Sequence, residues 1–244
     1  MTTKPTLSVA IIASNEEKNL ARSLPALNFA DEIVVIENDS TDQTVTVAKN
    51  HQAKVFSEPW HGYATQRNLS IERTTGDWIL ILDADEVISP ALAAEITAAI
   101  QTDQFDGFEL PYKNFIAGQA LQHGGWSPDY HLRLVRRSFA HIKDKAIHEE
   151  IVGVTRVGRL KNPVLHYTYH SLADWVAKAN RYTELEAPKK PFSLARLLFK
   201  PLASFLRSYI WWSGWRDGTL GLIASGMGAY YVFLTEAKRW LAKH

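Results

Sequence analysis

The chain has 244 residues, enough for one or two domains with a sizeable core. Its 46% hydrophobic and 22% charged content belongs to the globular class, and the lack of cysteine excludes a disulfide framework, a thiolate metal site and a cysteine nucleophile. The net charge of +1 hides an asymmetry: from Lys178 onward eleven Lys/Arg face four acids, so the preceding residues carry −6 and the tail +7. Met1-Thr2-Thr3-Lys4-Pro5 has no long apolar stretch behind a basic start, so it reads as the edge of a first strand and not as a signal peptide. Strand one is expected over Thr6–Ala13. Ser14 with Glu17 three residues on has the form of a capping box, opening a helix through Leu24. Glu32–Glu37 reads as strand two, and Asp39-Ser40-Thr41-Asp42 as the turn and cap before a helix ending near His51. A short third strand (Ala53–Ser57), a helix over Gly62–Thr74, and a fourth strand (Asp77–Leu82) follow. Ser89-Pro90 then caps a helix through about Gln101.

Strands separated by helices predict a parallel sheet with right-handed crossovers, whose ligands bind at the carboxyl ends of the strands. Three polar clusters fall there: Ser14-Asn15-Glu16, Glu37-Asn38-Asp39 and Asp83-Ala84-Asp85. The last is the most informative. Trp78-Ile79-Leu80-Ile81-Leu82 reads as a strand buried on both faces, and the acids after it are costly unless solvent, a cation or hydrogen bonds satisfy them. Two carboxylates one residue apart suit a hard divalent cation bridging to a phosphate; a solvated acidic turn is the bland alternative. No Gly-x-Gly-x-x-Gly follows strand one, which counts against a dinucleotide-binding domain.

In order, the chain has Asn15-Glu16-Glu17 after one strand, Glu37-Asn38-Asp39-Ser40-Thr41-Asp42 after the next, Gln66-Arg67-Asn68 in a helix, then Asp83-Ala84-Asp85. Ser127-Pro128-Asp129-Tyr130-His131-Leu132-Arg133-Leu134, Ile147-His148-Glu149 and Gly214-Trp215-Arg216-Asp217-Gly218 come later. This ordered set resembles family 2 glycosyltransferases, and more narrowly their lipopolysaccharide-core β-glucosyltransferase branch, over nearly the whole chain. The resemblance implies an α/β fold of the GT-A nucleotide-sugar type: a mixed, mainly parallel sheet flanked by helices, with a C-terminal helical membrane-associating extension. It implies a catalytic domain over residues 1–187 (a nucleotide-binding half 1–104 and an acceptor half 105–187), then a basic, tryptophan-rich tail over 188–244.

The same resemblance assigns roles. Ala13, Asn15 and Glu16 would cradle the nucleoside, and Glu37, standing where the family usually has Asp, would bond the base or ribose. Asp39 occupies a position where Gly is common. Arg67 would reach the nucleobase or diphosphate; otherwise it is a helical cation paired with Glu72. Asp83 would touch ribose or metal, and Asp85 would ligate Mg²⁺ or Mn²⁺. Asp129 aligns with the general base of inverting members, or is an Asp in a Ser-Pro-Asp turn. His148 would be a further metal ligand or diphosphate contact. On the acceptor side, Trp126 would stack on a sugar face or lie in the core, and Arg133, Arg136 and Arg137 would meet acceptor phosphates or solvent. Glu86 has no assigned role, and His166 and His170 read as packing residues because no acid flanks them.

The middle, Phe105–Leu165, reads as irregular and β-rich, with strands at Phe108–Pro111, Tyr130–Val135 and Ile151–Val157. A helix is expected from Ser171 to about Ala187, broken by Pro188-Lys189-Lys190-Pro191. The tail holds two helical stretches. Ser193–Trp212 has the pattern of a basic amphipathic helix on an anionic membrane surface; Gly218–Thr235, eighteen residues without a charge, only just reaches spanning length and is better read as interfacial or partly inserted. The implied function is metal-dependent, inverting transfer of a sugar, glucose from UDP-glucose, to a lipid-anchored glycan such as an inner-core heptose of lipopolysaccharide. The expected partners are a nucleotide-sugar donor, a lipid-linked saccharide and an anionic membrane, with no nucleic acid. The expected place is cytoplasmic, peripheral on the inner face of the bacterial inner membrane. The alternatives are transfer to a polyprenyl phosphate, and a non-catalytic membrane-bound scaffold.

Overall fold

A computed structural model describes residues 4–143 and 150–242. In chain order its elements are β1 (Leu7–Ala13), α1 (Glu17–Ser23), β2 (Glu32–Glu37), α2 (Thr44–Asn50), β3 (Lys54–Ser57), α3 (Tyr63–Glu72), β4 (Trp78–Asp83), β5 (Glu86–Ile88) and α4 (Pro90–Ala99). There follow β6 (Gly107–Ile116), β7 (Gln119–Leu121), β8 (Tyr130–Arg136), β9 (Ile142–Lys143), β10 (Glu150–Ile151), β11 (Val157–Arg159) and β12 (Val164–Tyr169). The helices α5 (Leu172–Glu186), α6 (Leu194–Leu206) and α7 (Gly218–Leu241) complete the described chain. By internal contacts it forms two compact units: Met1–Tyr112 with Tyr130–His166, and Lys113–Asp129 with Tyr167–His244.

In the first unit β3, β2, β1 and β4 are parallel neighbours in that order, β8 adds antiparallel to β4, and β6 to β8. The register sets Ala13 beside Glu37 and Ile12 beside Asp83, so the polar ends of β1, β2 and β4 share one edge. Trp78 to Leu82 are all at most 1% exposed, as expected of a strand covered on both faces. Gly76 is required before it: a Cβ there would lie 2.8 Å from the Ser8 backbone nitrogen. At the opposite edge Glu32 accepts from Ser8 and Thr75 and pairs with Lys54 at 2.7 Å.

Two local expectations change. Ser14 makes no capping box: its hydroxyl donates to the Asn38 carbonyl, and α1 begins at Glu17 with no side-chain cap. The expected strand Ile151–Val157 is instead two short ones, β10 and β11, with irregular chain between. Ser89 and Ser171 cap α4 and α5 as their sequence position requires.

The second unit packs α7 against α5 and α6. Its small core joins Ile116, Leu121, Trp175 and Ala224. Glu236 of α7 lies between Arg239, at 2.6 Å, and Arg196 of α6, at 2.7 Å. No residue of α6 is buried. Leu194, Leu198, Leu202 and Leu206, four residues apart, stand 43–59% exposed, followed by Ile210 and Trp211. The stripe that should face a core faces outward. Among the described residues one helical stretch, Gly214–Leu241, is long and apolar enough to cross a membrane by length and composition.

Candidate active site

Two loops of the first unit lock together at the carboxyl edge of its sheet. Asn15, in the left-handed region at φ +56°, takes the Thr41 N–H on its Oδ1 at 2.9 Å while its own N–H donates to Ser40 Oγ. The Glu16 N–H donates to Thr44 Oγ1 at 2.7 Å, and Glu17 exchanges bonds with Asp42 and Gln43. Ala13 sits buried at the base and its carbonyl accepts from the Asn38 N–H. Glu37, 6% exposed, accepts from the Ser40 N–H and the Ser57 hydroxyl. Burial raises its carboxyl, but those hydrogen bonds outweigh burial and hold it below its ordinary range. Short polar side chains near strand ends suit this work because they bond backbone groups that no ladder satisfies.

The third cluster is an ion-pair network. Arg67 of α3 reaches Asp83 Oδ1 at 2.6 Å, and Arg133 of β8 reaches Asp83 Oδ2 at 3.3 Å and Glu86 at 3.6 Å. Arg67 therefore serves Asp83. The Asp83 N–H donates to Glu86 Oε2 at 3.0 Å, closing the turn, and Arg133 Nε donates to the Tyr112 hydroxyl. Antiparallel pairing of β5 with β12 sets His166 opposite Glu86, which brings His166 Nε2 to 3.6 Å from Asp85 Oδ1. Tyr112 stands edge-on to both His131 and His166.

Burial would raise Asp83, but the Arg67 and Arg133 guanidinium groups override it and hold the carboxyl far below the usual range. Glu86, 1% exposed, is raised by burial and by the charges of Asp83 and Asp85, against the pull of Arg133. Burial lowers His166, yet Asp85, Glu86 and Asp83 outweigh it and raise the imidazole. Burial likewise lowers Arg133, and Tyr112, Glu86 and Asp83 reverse the sign. The two guanidinium groups thus favour the ionised form of Asp83.

Among the described residues no three His, Asp or Glu side chains converge as a protein-built metal cage. A cation bridging a diphosphate needs only one or two carboxylates, with phosphate and water completing the shell. Both Asp83 oxygens face guanidinium groups, while Asp85 Oδ1 faces His166 at 3.6 Å, so a carboxylate that could hold a cation stands at Asp85. The residues fit that mode of binding. His148 lies outside the described residues.

Arg133 is turned into the acid network; Arg136 bonds Asp103 and the Phe105 carbonyl, and Arg137 the Thr74 carbonyl. In the second unit Trp126 packs edge-to-face on Trp175 at 6.0 Å, and its carbonyl accepts from Asn114. Asp129 ends the loop, one residue before β8. Sequence reading left Glu86 without a role and set His166 aside; the acids that engage His166 lie 80 residues away in the chain and only the β5–β12 register shows them.

The family model for glycosyl transferase family 2 matches residues 8–148. Over 253 aligned residues the chain is 31% identical to the lipopolysaccharide core biosynthesis glycosyltransferase LpsC of Rhizobium meliloti, covering 98% of this chain and 93% of that one. The fold is similar to the mannosyltransferase PcManGT of Pyrobaculum calidifontis, solved with GDP-Man and Mn²⁺ (TM-score 0.56, 14% identity, 100% of this chain and 89% of that one). It is also similar to residues 1–349 of S. aureus TarS, solved with UDP-GlcNAc (TM-score 0.53, 13% identity, 96% and 89% covered). The mainly parallel sheet flanked by helices is thus the GT-A type. With a family match over more than half of its length and a relative aligned nearly end to end, the chain belongs to glycosyl transferase family 2.

Proposed function

We propose that this glycosyltransferase is an inverting, divalent-cation-assisted enzyme that moves glucose from UDP-glucose to a lipid-anchored glycan, an inner-core heptose of lipopolysaccharide. The observation that carries the reading is the Asp83–Glu86 turn at the end of β4, braced by Arg67 and Arg133 beside the locked loops of β1 and β2. The nucleotide sugars and Mn²⁺ held by the two fold neighbours support the donor class and the cation. The name of the Rhizobium relative supports the acceptor.

In this reading residues 1–104 hold the donor, 105–187 serve the acceptor, and 188–244 keep the enzyme at the membrane. Ala13, Asn15, Glu16 and Glu37 form the nucleoside end of the pocket. Arg67 and Asp83 orient the ribose and diphosphate end. Mg²⁺ or Mn²⁺ at Asp85 would offset the negative charge that grows on the departing diphosphate. Asp129 takes the proton of the attacking hydroxyl, from the face opposite the leaving group. Trp126 supports the acceptor side, while Arg133, the other acceptor candidate, braces the donor end through Asp83. The outward stripe of α6 and the surplus of cations after Lys178 support docking on the anionic inner face of the inner membrane.

A panel of nucleotide sugars, scored by thermal stabilisation with and without Mn²⁺ and then by transfer, tests the reading. UDP-glucose should stabilise most, more so with Mn²⁺, and label core oligosaccharide but not polyprenyl phosphate. Stabilisation by no nucleotide sugar would sink the proposal, and transfer to polyprenyl phosphate alone would sink the acceptor.

A further inference from the structure

The segment Gly214-Trp215-Arg216-Asp217-Gly218 has no part in the chemistry above, yet Asp217 is among the most engaged acids of the second unit. It occupies the N-cap position of α7, where an Asp ordinarily accepts from the helix's own first amides. It makes no such bond. Both carboxylate oxygens turn instead to the loop after β7: Oδ2 accepts from the backbone N–H of Gln122 at 3.0 Å and of His123 at 2.8 Å, and Oδ1 lies 2.8 Å from His123 Nδ1. The ionised carboxylate can only accept, so the imidazole holds its proton on Nδ1. The side chain is 8% exposed. Burial raises its carboxyl, and the bonds from His123 and Gln122 overcome this and hold it low.

The next residues of the loop are held from the same side. The Gly124 N–H donates to the Trp212 carbonyl at 2.9 Å, and its own carbonyl accepts from Ser208 Oγ at 2.9 Å. Gly125, at φ +90°, lies under the Trp212 ring so closely that a Cβ would come within 2.6 Å of it. Gly221 lets α7 approach as near: a Cβ there would meet the Gly214 carbonyl at 1.8 Å. Backbone groups of three consecutive loop residues are therefore satisfied by the stretch from Ser208 to Asp217, and five positions further on the loop ends in Asp129.

We propose that Asp217 is a positioning residue: with Trp212 it sets the course of the loop 122–129 that presents Trp126 and Asp129 to the acceptor. The helix gives up a capping bond so that a loop 94 to 95 residues earlier in the chain has a fixed course. Precise placement of a base is where small displacements cost most. This rests on the acceptor-side reading of the loop given above, and the experiment separates the two.

In the full-length chain, Asp217→Asn keeps the size of the side chain and removes its charge. Transfer from UDP-glucose to core oligosaccharide should fall about 100-fold in kcat, while hydrolysis of UDP-glucose and its KM stay within about twofold. Asp217→Glu should recover part of the loss. Gly125→Ala, which pushes on the loop through Trp212 and leaves the carboxylate intact, should give the same split. Independently of activity, exchange of the Gln122 and His123 amides should quicken about tenfold in Asp217→Asn. Equal loss of hydrolysis and transfer reduces Asp217 to a general structural role and overturns the proposal, as does unchanged amide exchange. If the wild-type chain turns over no nucleotide sugar, the functional reading falls and the exchange result alone decides the anchor.

Discussion

At the scale of single residues, the acids at the end of β4 do different work although they lie within four residues, Asp83 to Glu86. Asp83 is fixed between two guanidinium groups, Glu86 closes the turn from inside, and Asp85 faces His166. Substitutions should separate them. Arg133→Met leaves the buried Glu86 without its guanidinium and the partly exposed Asp83 with Arg67 alone, and should cost about 2–3 kcal/mol, read from the urea midpoint. Adding Glu86→Gln should return part of that loss, because the two side chains share one network. Asp85→Asn should change stability by less than about 1 kcal/mol, since the side chain is partly exposed and its ion pair with His166 is long at 3.6 Å, yet abolish the response of transfer to Mn²⁺. Full Mn²⁺-dependent transfer by that variant removes Asp85 from the cation site. The acid pair was legible because costly groups stood at the end of an apolar run. Its partners were not: Arg67, Arg133 and His166 are separated from it by 16 to 81 residues, and nothing local marks which cation a strand register will deliver.

At the scale of elements, alternation of apolar strands and capped helices was enough to place β1 to β4 and α1 to α4, because a parallel sheet leaves a period that sequence carries. Ser89 capped α4 as expected, while Ser14 had the same local credentials and spent its hydroxyl on Asn38. The difference is the neighbouring loop, whose Asn38 carbonyl accepts the hydroxyl's hydrogen bond and which a window of four residues cannot contain. β5 and β12 escaped for a related reason: three-residue pairings are fixed by tertiary partners and not by propensity. Glu32 shows what one such partner contributes. Burial raises its carboxyl, but bonds from Lys54, Ser8 and Thr75 bring it from 4.5 down to about 2. A carboxyl lowered on folding stabilises in full above its unfolded value, so this contribution is complete above about pH 4.5 and drains away as pH falls towards 2. Comparing wild type with Glu32→Gln by urea denaturation should show a gap on the order of 2 kcal/mol at pH 6 that narrows by pH 3. A gap that does not move with pH would assign Glu32 a packing role only.

At the scale of the whole molecule, the tail is where composition said most and pattern least. Its helical spacing is the same whether the apolar stripe faces a core or the outside; only the structure shows that α6 turns Leu194, Leu198, Leu202 and Leu206 outward. From Ala187 to Arg216 there is no acid and six Lys or Arg. Leu198→Glu with Leu202→Glu puts charge in that stripe without touching the Asp217 contacts, which truncation would remove. The double variant should keep its melting temperature within about 2 °C, while binding to vesicles rich in anionic lipid falls at least about tenfold in a sedimentation assay. Undiminished sedimentation would take the docking role away from α6. Separately, Glu236→Ala strips Arg196 and the buried Arg239 of their shared carboxylate and should cost about 3 kcal/mol, loosening α6 from α7.

The lock between the loops after β1 and β2 carries one more consequence. Besides bonds within each loop, several run from a group of one loop to a group of the other: Asn15 with Ser40 and Thr41, Glu16 with Thr44, Glu17 with Asp42 and Gln43. Neither loop owns its conformation. In recombination between family members, a crossover between Glu17 and Ser40 would join half a clasp to a stranger, whereas exchange of residues 13–44 as a block carries the clasp whole.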